Sequence, residues 1–504
     1  MNFTPLSRRY FKRIDQAAIQ AAEDIESSQR ALLSQLLSEA AYTRYGAQYR
    51  FRLLRTHNEY VAATPIVQYE DIRPWVMRMV NGENNLLWPG RCTRYAQSSG
   101  TSGGVSKYIP LTDRSLSQCH FKGGAEVVAR YLALYPDSRL FAGKSFVLGG
   151  SYSSTTLHPE GVRVGDLSAS LIDCINPVAN LFRVPSKKIA LMEDWRKKLP
   201  ALVKATARCN ITSLSGVPSW FLTVIKEVMK ERGATEIHQV WPNLEVFFHG
   251  GIAFGPYREQ YNALIDPARM RYLETYNASE GFFAVQSDTA DSSMMLLMDN
   301  DIFYEFLPLD QLEAEHPQAL PAWEVEAGRT YALIITSSNG LWRYMIGDTV
   351  SVTSVNPLKI KIAGRTRSFI NAFGEELMVH NADAAIADAC RITGALVSDY
   401  TAAPVFAAEG AKAHHQWFVE FEKAPESISD FALELDAALR RVNSDYDAKR
   451  SGDIFLAAPE IVVLPPSTFN RYLASTGKLG GQRKVPRLKN DRSVADAILR
   501  LIED

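Results

Sequence analysis

The sequence predicts an α/β protein: a large N-terminal α/β domain carrying a β-rich subdomain, followed by a small α+β C-terminal domain. Three observations lead there. The chain has 504 residues, more than one hydrophobic core usually organises. Strand, glycine-rich turn and helix recur in that order through the first half, the pattern of an α/β fold. From Ser292 the texture turns β-rich, and beyond Gly364 helices and strands alternate again over about 140 residues, an ordinary domain length.

Taken in order, Ile14 to Ala41 is rich in Ala, Leu, Glu and Gln with apolar residues at helical spacing, and reads as a helical pair packed on the main body. Lys107 to Leu111 is β-like. Thr112 or Asp113 then caps a helix running towards Tyr135, where Pro136 stops it. A second helix is expected over Pro218–Arg232, ahead of the buried-strand run Leu244–Phe248. In the β-rich part, Asp301–Leu307, Thr330–Thr336 and Leu341–Val352 read as strands, the last two joined by the hairpin signal Ser337-Ser338-Asn339-Gly340. The C-terminal region predicts a helix over Asn381–Ile392, a strand over Gln416–Phe421, a helix over Ser429–Val442 and a strand over Glu460–Leu464. A last helix from Ser493 places Val494, Ala497, Ile498 and Leu501 on one face. The expected domains are residues 1–363 and 364–504.

Composition narrows the function. With 55 basic and 56 acidic residues the net charge is -1, so no nucleic acid is expected as partner, and any phosphate recognition must be local. Five scattered cysteines (Cys92, Cys119, Cys174, Cys209, Cys390) include no Cys-x-x-Cys pair, which argues against a disulfide framework or zinc site. The first fifteen residues lack the apolar core of a signal peptide, and the apolar runs are too short to span a bilayer. The expectation is a cytoplasmic protein without a membrane partner.

The most informative segment is Ser98-Ser99-Gly100-Thr101-Ser102-Gly103-Gly104-Val105-Ser106-Lys107. Glycines let the backbone turn its N–H groups onto an anion, hydroxyls add donors, and Lys107 adds positive charge. This composition describes a phosphate cradle; a Gly/Ser linker is the plainer alternative. It is not a P-loop, because Lys107 follows Ser106 rather than Gly, and Gly143-Lys144-Ser145 fails since Ser138 stands where the first Gly belongs. Gly100 to Gly104 does match the G-x-S-x-G nucleophile elbow, but an elbow leads straight into a helix. Here β-like residues and Pro110 follow.

Ser98 to Lys107 resembles the phosphate loop of the acyl-adenylate-forming superfamily, and in detail the GH3 family of acyl-acid amido synthetases. Further segments follow in the family's order. His249-Gly250-Gly251-Ile252-Ala253 resembles the turn that packs on adenine. Tyr276-Asn277-Ala278-Ser279-Glu280-Gly281 resembles the Tyr-x-x-Ser-Glu motif. Trp342-Arg343-Tyr344-Met345-Ile346-Gly347-Asp348 resembles Tyr-Arg-x-Gly-Asp, with one extra residue before Gly347. Gly364-Arg365-Thr366 matches the superfamily's hinge, and Gln482-Arg483-Lys484-Val485-Pro486-Arg487 resembles Gln-x-Lys-x-Pro-Arg.

The resemblance implies a large adenylate-forming domain with a mobile C-terminal domain, and roles for individual residues. Ser98, Ser99, Thr101 and Lys107 would hold phosphates. Gly251, Tyr276 and Ser279 would contribute to nucleotide binding, with the Tyr276 ring stacked on adenine. Asp348 would take the ribose hydroxyls, and Arg365 ribose or phosphate. Glu280 would hold Mg²⁺, which favours one or two carboxylates plus phosphate and water. Lys484, at the family's spacing, or Lys478, at the superfamily's, would stabilise charge on the α-phosphate. Gly216-Val217-Pro218-Ser219-Trp220 stands where such enzymes line the acyl pocket, which puts Val217 and Trp220 on its wall.

The implied reaction is ATP-dependent: a small carboxylic acid is adenylated with loss of pyrophosphate, and the acyl group passes to the amine of an amino acid. An acyl-CoA ligase shares the first step and would need a basic patch for CoA, which the sequence does not display. A serine hydrolase using Ser102 and a non-catalytic binding protein are the readings from other classes.

Overall fold

Two helices open the chain, Thr4–Glu23 and Ile25–Ala40. The first begins ten residues before the expected pair, with Pro5 inside its first turn, where a missing N–H costs nothing. The second is fastened by Gln29, which is fully buried. Its amide Nε2 donates to the carbonyls of Met298 and Ile302, and its Oε1 accepts from the Tyr304 amide. A buried amide with its groups satisfied fixes one register for the helix.

The coordinates are a computed structural model, and they describe residues 2–98, 107–152, 159, 161–251, 254–312, 314–366, 369–370, 372, 375, 377–406, 413–443, 446–447, 450, 456–476, 485–489 and 491–503. The chain divides into two compact units. Met1–Ile252, Ala263–Ile346 and Val350–Lys361 form the first; Ala253–Asn262, Gly347–Thr349 and Ile362–Asp504 form the second.

The strands of the first half are β1 (Arg94–Ser98), β2 (Lys107–Pro110), β3 (Lys144–Val147), β4 (Arg163–Gly165), β5 (Arg183–Val184), β6 (Ile211–Gly216), β7 (Val246–Gly250), β8 (Arg271–Ala278), β9 (Gly281–Asp288) and β10 (Asp291–Leu296). They are followed by β11 (Ile302–Pro308), β12 (Leu320–Pro321), β13 (Thr330–Ser337), β14 (Leu341–Val355) and β15 (Leu358–Arg365). Among the described residues twelve of them form one sheet in the order β12-β11-β13-β14-β15-β10-β9-β8-β7-β6-β3-β5. The run β5, β3, β6, β7, β8 is parallel; β8, β9, β10 and β15 then alternate antiparallel. Helix Pro218–Arg232 makes the crossover between β6 and β7, starting at Pro218 and ending at Gly233 with φ +62°, a left-handed cap that glycine adopts freely. β1, β2 and β4 form a separate small sheet.

The β-rich segment folds as expected, with Gly340 (φ +82°) closing the β13–β14 hairpin onto the Ser337 carbonyl. Between β2 and Tyr135 the single expected helix is instead a π-helical turn, Ser115–Phe121, running into an α-helix, Lys122–Leu134. Gly123 lets the α-helix lie close against Phe282 of β9, because a Cβ there would meet that ring at 2.5 Å.

In the second unit, β18 (Leu396–Val405) and β19 (His414–Lys423) pair antiparallel, and β20 (Glu460–Leu464) joins β19 in parallel; two short strands, β16 (Phe369–Ile370) and β17 (Leu377–Met378), precede them. Helices Val379–Thr393 and Ile428–Val442 pack together over a core that includes Trp417, Phe431 and Leu435. β18 is a strand that the sequence does not announce: Asp399, two alanines and Pro404 dilute its β-branched content, and pairing rather than propensity makes it.

Candidate nucleotide and acyl site

The phosphate-loop segment is framed by β1 and β2, whose ladder runs from Tyr95↔Pro110 to Ser98↔Lys107. The Ser98 backbone and Lys107 therefore face each other at the mouth of the loop. Ser99 and Thr101 lie outside the described residues. Lys107 Nζ sits 5.6 Å from the centroid of Tyr69, whose hydroxyl accepts from the Tyr108 amide at 2.8 Å. Tyr69 thus holds the lysine by a cation–π contact and the adjacent backbone by a hydrogen bond. The first described element after the glycines is the strand β2 rather than the helix that an elbow leads into, and Ser102 lies outside the described residues.

In open α/β sheets, ligands bind beyond the carboxyl ends of parallel strands. Four features share that edge here. Val147 pairs with Ser215, Gly216 with His249 and Gly250 with Thr275, so the ends of β3, β6 and β7 stand level with Tyr276 on β8. Gly250 lets β7 lie against β8, since a Cβ would meet the Thr275 carbonyl oxygen at 2.4 Å. Gly251 follows at φ +80°, a conformation that costs other residues free energy. The adenine-turn candidate therefore begins with a backbone bend at Gly251, just past the end of β7 and level with Tyr276.

Tyr276 is 4% exposed and its ring lies 4.7 Å from that of Phe283, inclined at 49°. A bulge follows it in the ladder. Ser279 and Glu280 are the two residues between the paired Ala278 and Gly281, so the motif is a tight β-hairpin. Glu280 is 7% exposed, and its carbonyl accepts from Asn339 Nδ2 at 3.4 Å. Val217 is the half-buried residue before helix Pro218–Arg232. Trp220, on the first turn, packs its ring 5.7 Å from Trp195 of helix Trp195–Thr206.

That helix also brings Lys198, which reasoning from the sequence misses. Lys198 is 3% exposed, and Nζ donates to the Gly149 carbonyl at 2.6 Å, just past β3. Burial pushes its ammonium down to about 8, against the opposing pull of Asp166. Nothing in the local sequence marks it; only the fold brings helix Trp195–Thr206 back over β3.

In the second unit, Gly347 adopts φ +89° and its carbonyl accepts from the Thr366 amide at 2.8 Å and hydroxyl at 3.3 Å. Half-buried Asp348 and the backbone of Arg365, the last residue of β15, are therefore neighbours through Thr366. Lys478 and Lys484 lie outside the described residues.

The donor set suits magnesium bound with a nucleotide. Among the described residues no cluster of three His, Cys, Asp or Glu could cage a metal, whereas Glu280 offers one carboxylate, enough for an ion that takes its remaining ligands from phosphate and water.

Comparison with known proteins places this geometry. The GH3 family N-terminal domain matches residues 16–176 and 172–270, the central domain 295–365 and the C-terminal domain 380–493. The indole-3-acetic acid-amido synthetase GH3.3 of Arabidopsis thaliana is 23% identical over 92% of this chain and 89% of its own length. The solved AtGH3.15 acyl acid amido synthetase in complex with 2,4-DB shares the fold at TM-score 0.79 and 19% identity, covering 98% of this chain and 96% of that one. A 2-hydroxyisobutyryl-CoA ligase in the postadenylation state is similar at TM-score 0.56 and 13% identity, over 98% and 92%. With all three domains matched in order over most of its length, the chain belongs to the GH3 family.

Proposed function

We propose that this chain is an ATP-dependent acyl acid–amino acid ligase, which adenylates a small carboxylic acid and transfers the acyl group to the amine of an amino acid. The observation that carries this reading is family membership over most of the chain, with amide-forming relatives such as the indole-3-acetic acid-amido synthetase GH3.3 and the 4-substituted benzoates-glutamate ligase GH3.12 of Arabidopsis thaliana, each aligned to 92% of this chain.

A carboxylate is a poor acyl donor because its oxygen is a poor leaving group. Attack of the carboxylate on the α-phosphorus of ATP expels pyrophosphate and leaves the acyl group on AMP. An amine then attacks that carbonyl, and AMP departs. The chemistry asks the protein for positioning and charge neutralisation rather than for a nucleophile. In this reading Ser98, Ser99, Thr101 and Lys107 hold phosphates, Gly251, Tyr276 and Ser279 bound the nucleotide, and Asp348 and Arg365 take the ribose. Bound at Glu280, Mg²⁺ would neutralise phosphate charge. Lys484, or alternatively Lys478, would approach the α-phosphate, and Val217 and Trp220 would wall the acid. The C-terminal domain from Gly364 is proposed to turn between the two half-reactions.

No helix of the described residues is long and apolar enough to cross a membrane. The proposed partners are a small carboxylic acid and an amino acid, as the names of the relatives suggest, and the proposed location is cytoplasmic; the balanced charge gives no reason to expect a nucleic acid.

The test is release of AMP and pyrophosphate from Mg-ATP across a panel of carboxylic acids, each with amino acids or with CoA. Release requiring an acid and an amino acid is expected. Release requiring CoA would make the enzyme an acyl-CoA ligase, and no acid-dependent release would overturn the adenylation reading itself.

A further inference from the structure

The segment that closes the family's last motif is built into the second unit by a single arginine. Residues Val485–Lys489 run alongside β18: the Ala402 amide donates to the Arg487 carbonyl at 2.9 Å, the Lys489 amide returns to the Ala402 carbonyl at 3.1 Å, and Leu488 bridges Ala402 in parallel. The Thr401 hydroxyl donates to the Pro486 carbonyl at 2.6 Å. The Arg487 side chain then reaches across β18. Its guanidinium pairs with Asp399, donates to the Tyr400 carbonyl at 3.2 Å, lies 3.9 Å from Asp383 and sits 4.4 Å over the Tyr400 ring. The Tyr400 hydroxyl donates to the same Asp383 at 2.6 Å. Two carboxylates and a ring around one cation make a charge-assisted node that lysine could not reproduce, since it lacks the planar fork.

A second strand of evidence enters the same node. Residues 254–262, which follow the Gly250–Gly251 turn in the chain, belong to the second unit rather than to the first. Tyr257 in that segment is 5% exposed, and its hydroxyl donates to the Ser398 carbonyl at 3.5 Å, one residue before Asp399 of the node. The segment that leaves the adenine-turn candidate and the segment that follows Lys484, three residues upstream of Arg487, therefore meet the same stretch of β18.

We propose that Arg487 is a positioning residue for adenylation, seating the segment that follows Lys484 on β18 and fixing to the same node the Tyr257 segment that follows the glycine turn. It touches no reacting atom. Its effect is exerted through where those two segments are held, and the proposal rests on the ligase reading above.

The test uses the full-length enzyme with Arg487→Met, Arg487→Lys and Tyr257→Phe, and two readouts. The first is hydrogen exchange, which needs no activity. Arg487→Met is expected to speed exchange in peptides covering 485–489 and 254–262 while helix Ile428–Val442 stays protected. The second separates half-reactions, using the acid that gives the fastest wild-type release. Acid-dependent ATP–pyrophosphate exchange is expected to fall about 10- to 100-fold in kcat in Arg487→Met, the scale of a misplacement near 1 Å. Amide formation from chemically supplied acyl-adenylate should change less than about threefold, a ratio below 1 kcal/mol. Arg487→Lys should recover little, and Tyr257→Phe should show a smaller loss of the same kind. Unchanged exchange in both peptides overturns the node. Changed exchange with both half-reactions falling together, or with neither falling, overturns the positioning role and leaves a structural one. If the wild type adenylates no acid yet the exchange shift appears, the ligase reading fails and the positioning role fails with it.

Discussion

Arg343 Nε donates to both carboxylate oxygens of Glu305, at 3.1 and 3.0 Å, with the two side chains 3% and 1% exposed. Arg343 also donates to the Thr64 carbonyl at 2.9 Å, and His57 Nε2 lies 3.2 Å from Glu305. The pair therefore knots helix His57–Ala63 to β11 and β14 inside the first unit. Arg343 stands within the segment resembling Tyr-Arg-x-Gly-Asp, yet the structure commits it to the interior, at φ +46°.

Arg343→Met is accordingly expected to cost about 3–5 kcal/mol, because it removes the cation paired with Glu305 in the protein interior. The double variant Arg343→Met/Glu305→Leu should recover part of that loss. Urea denaturation followed by tryptophan fluorescence measures both. A variant of undiminished stability with a raised KM for ATP would instead place Arg343 in the nucleotide site.

Glu126 predicts a pH dependence of stability. Both its carboxylate oxygens are buried without a hydrogen-bond partner, and Lys122 Nζ stands 3.8 Å away while pairing with Asp299 at 2.6 Å. Burial, reinforced by the Asp299 charge and opposed by Lys122, pushes the carboxyl up to about 8 from an unfolded 4.5. Between those values the fold keeps a proton that the unfolded chain releases, so this group's contribution falls as pH rises and is fully lost above the folded value. Glu126→Gln should match the wild type near pH 4 and exceed it by about 5 kcal/mol at pH 9, since each tenfold change in proton affinity is worth about 1.4 kcal/mol. A stability gap that does not widen with pH would show that Glu126 is ionised within the fold.

The sequence made legible whatever rests on local pattern. Leu244–Phe248 reads as a buried strand because it is apolar throughout, and Asn339-Gly340 announces the β13–β14 hairpin. The glycine turn, the Ser279–Glu280 hairpin motif and the Lys107 strand are visible as ordered segments. Features made by packing are not. β8 and β9 alternate too weakly to stand out beside their motif, and Lys198 gains its place from a helix returning over β3. The assignment of residues 254–262 to the second unit is equally invisible, since Tyr257 reads as one more aromatic until β18 stands beside it.

Trp220 predicts a selective change in acid recognition. Its ring leans on Trp195 beside the end of β6, where Gly216 has already turned the chain towards Val217. Removing the indole should raise KM about tenfold for aromatic acids and far less for acetate-sized ones, as expected when an apolar wall is lost. KM for ATP should stay within about twofold, well under 1 kcal/mol. Steady-state pyrophosphate release with Trp220→Ala on three acids of graded size checks this. Equal losses for all three would mean that the Trp195–Trp220 pair only supports the fold.

Glu280 carries the metal assignment, and the hairpin supplies the reason to test it by charge rather than by size. The residue occupies a two-residue turn whose backbone carbonyl is engaged by Asn339, so Glu280→Gln should preserve the turn and remove only the anionic ligand. Adenylation is expected to fall at least about 100-fold, since a bound metal supplies several kcal/mol of charge stabilisation. The more specific reading is the Mg²⁺ titration at fixed ATP. Half-maximal activity should move to higher free Mg²⁺ in Glu280→Gln and to an intermediate value in Glu280→Asp, while thermal stability stays near that of the wild type. A Glu280→Gln enzyme with a wild-type Mg²⁺ curve would remove the carboxylate from the metal site and leave it a role in the turn alone.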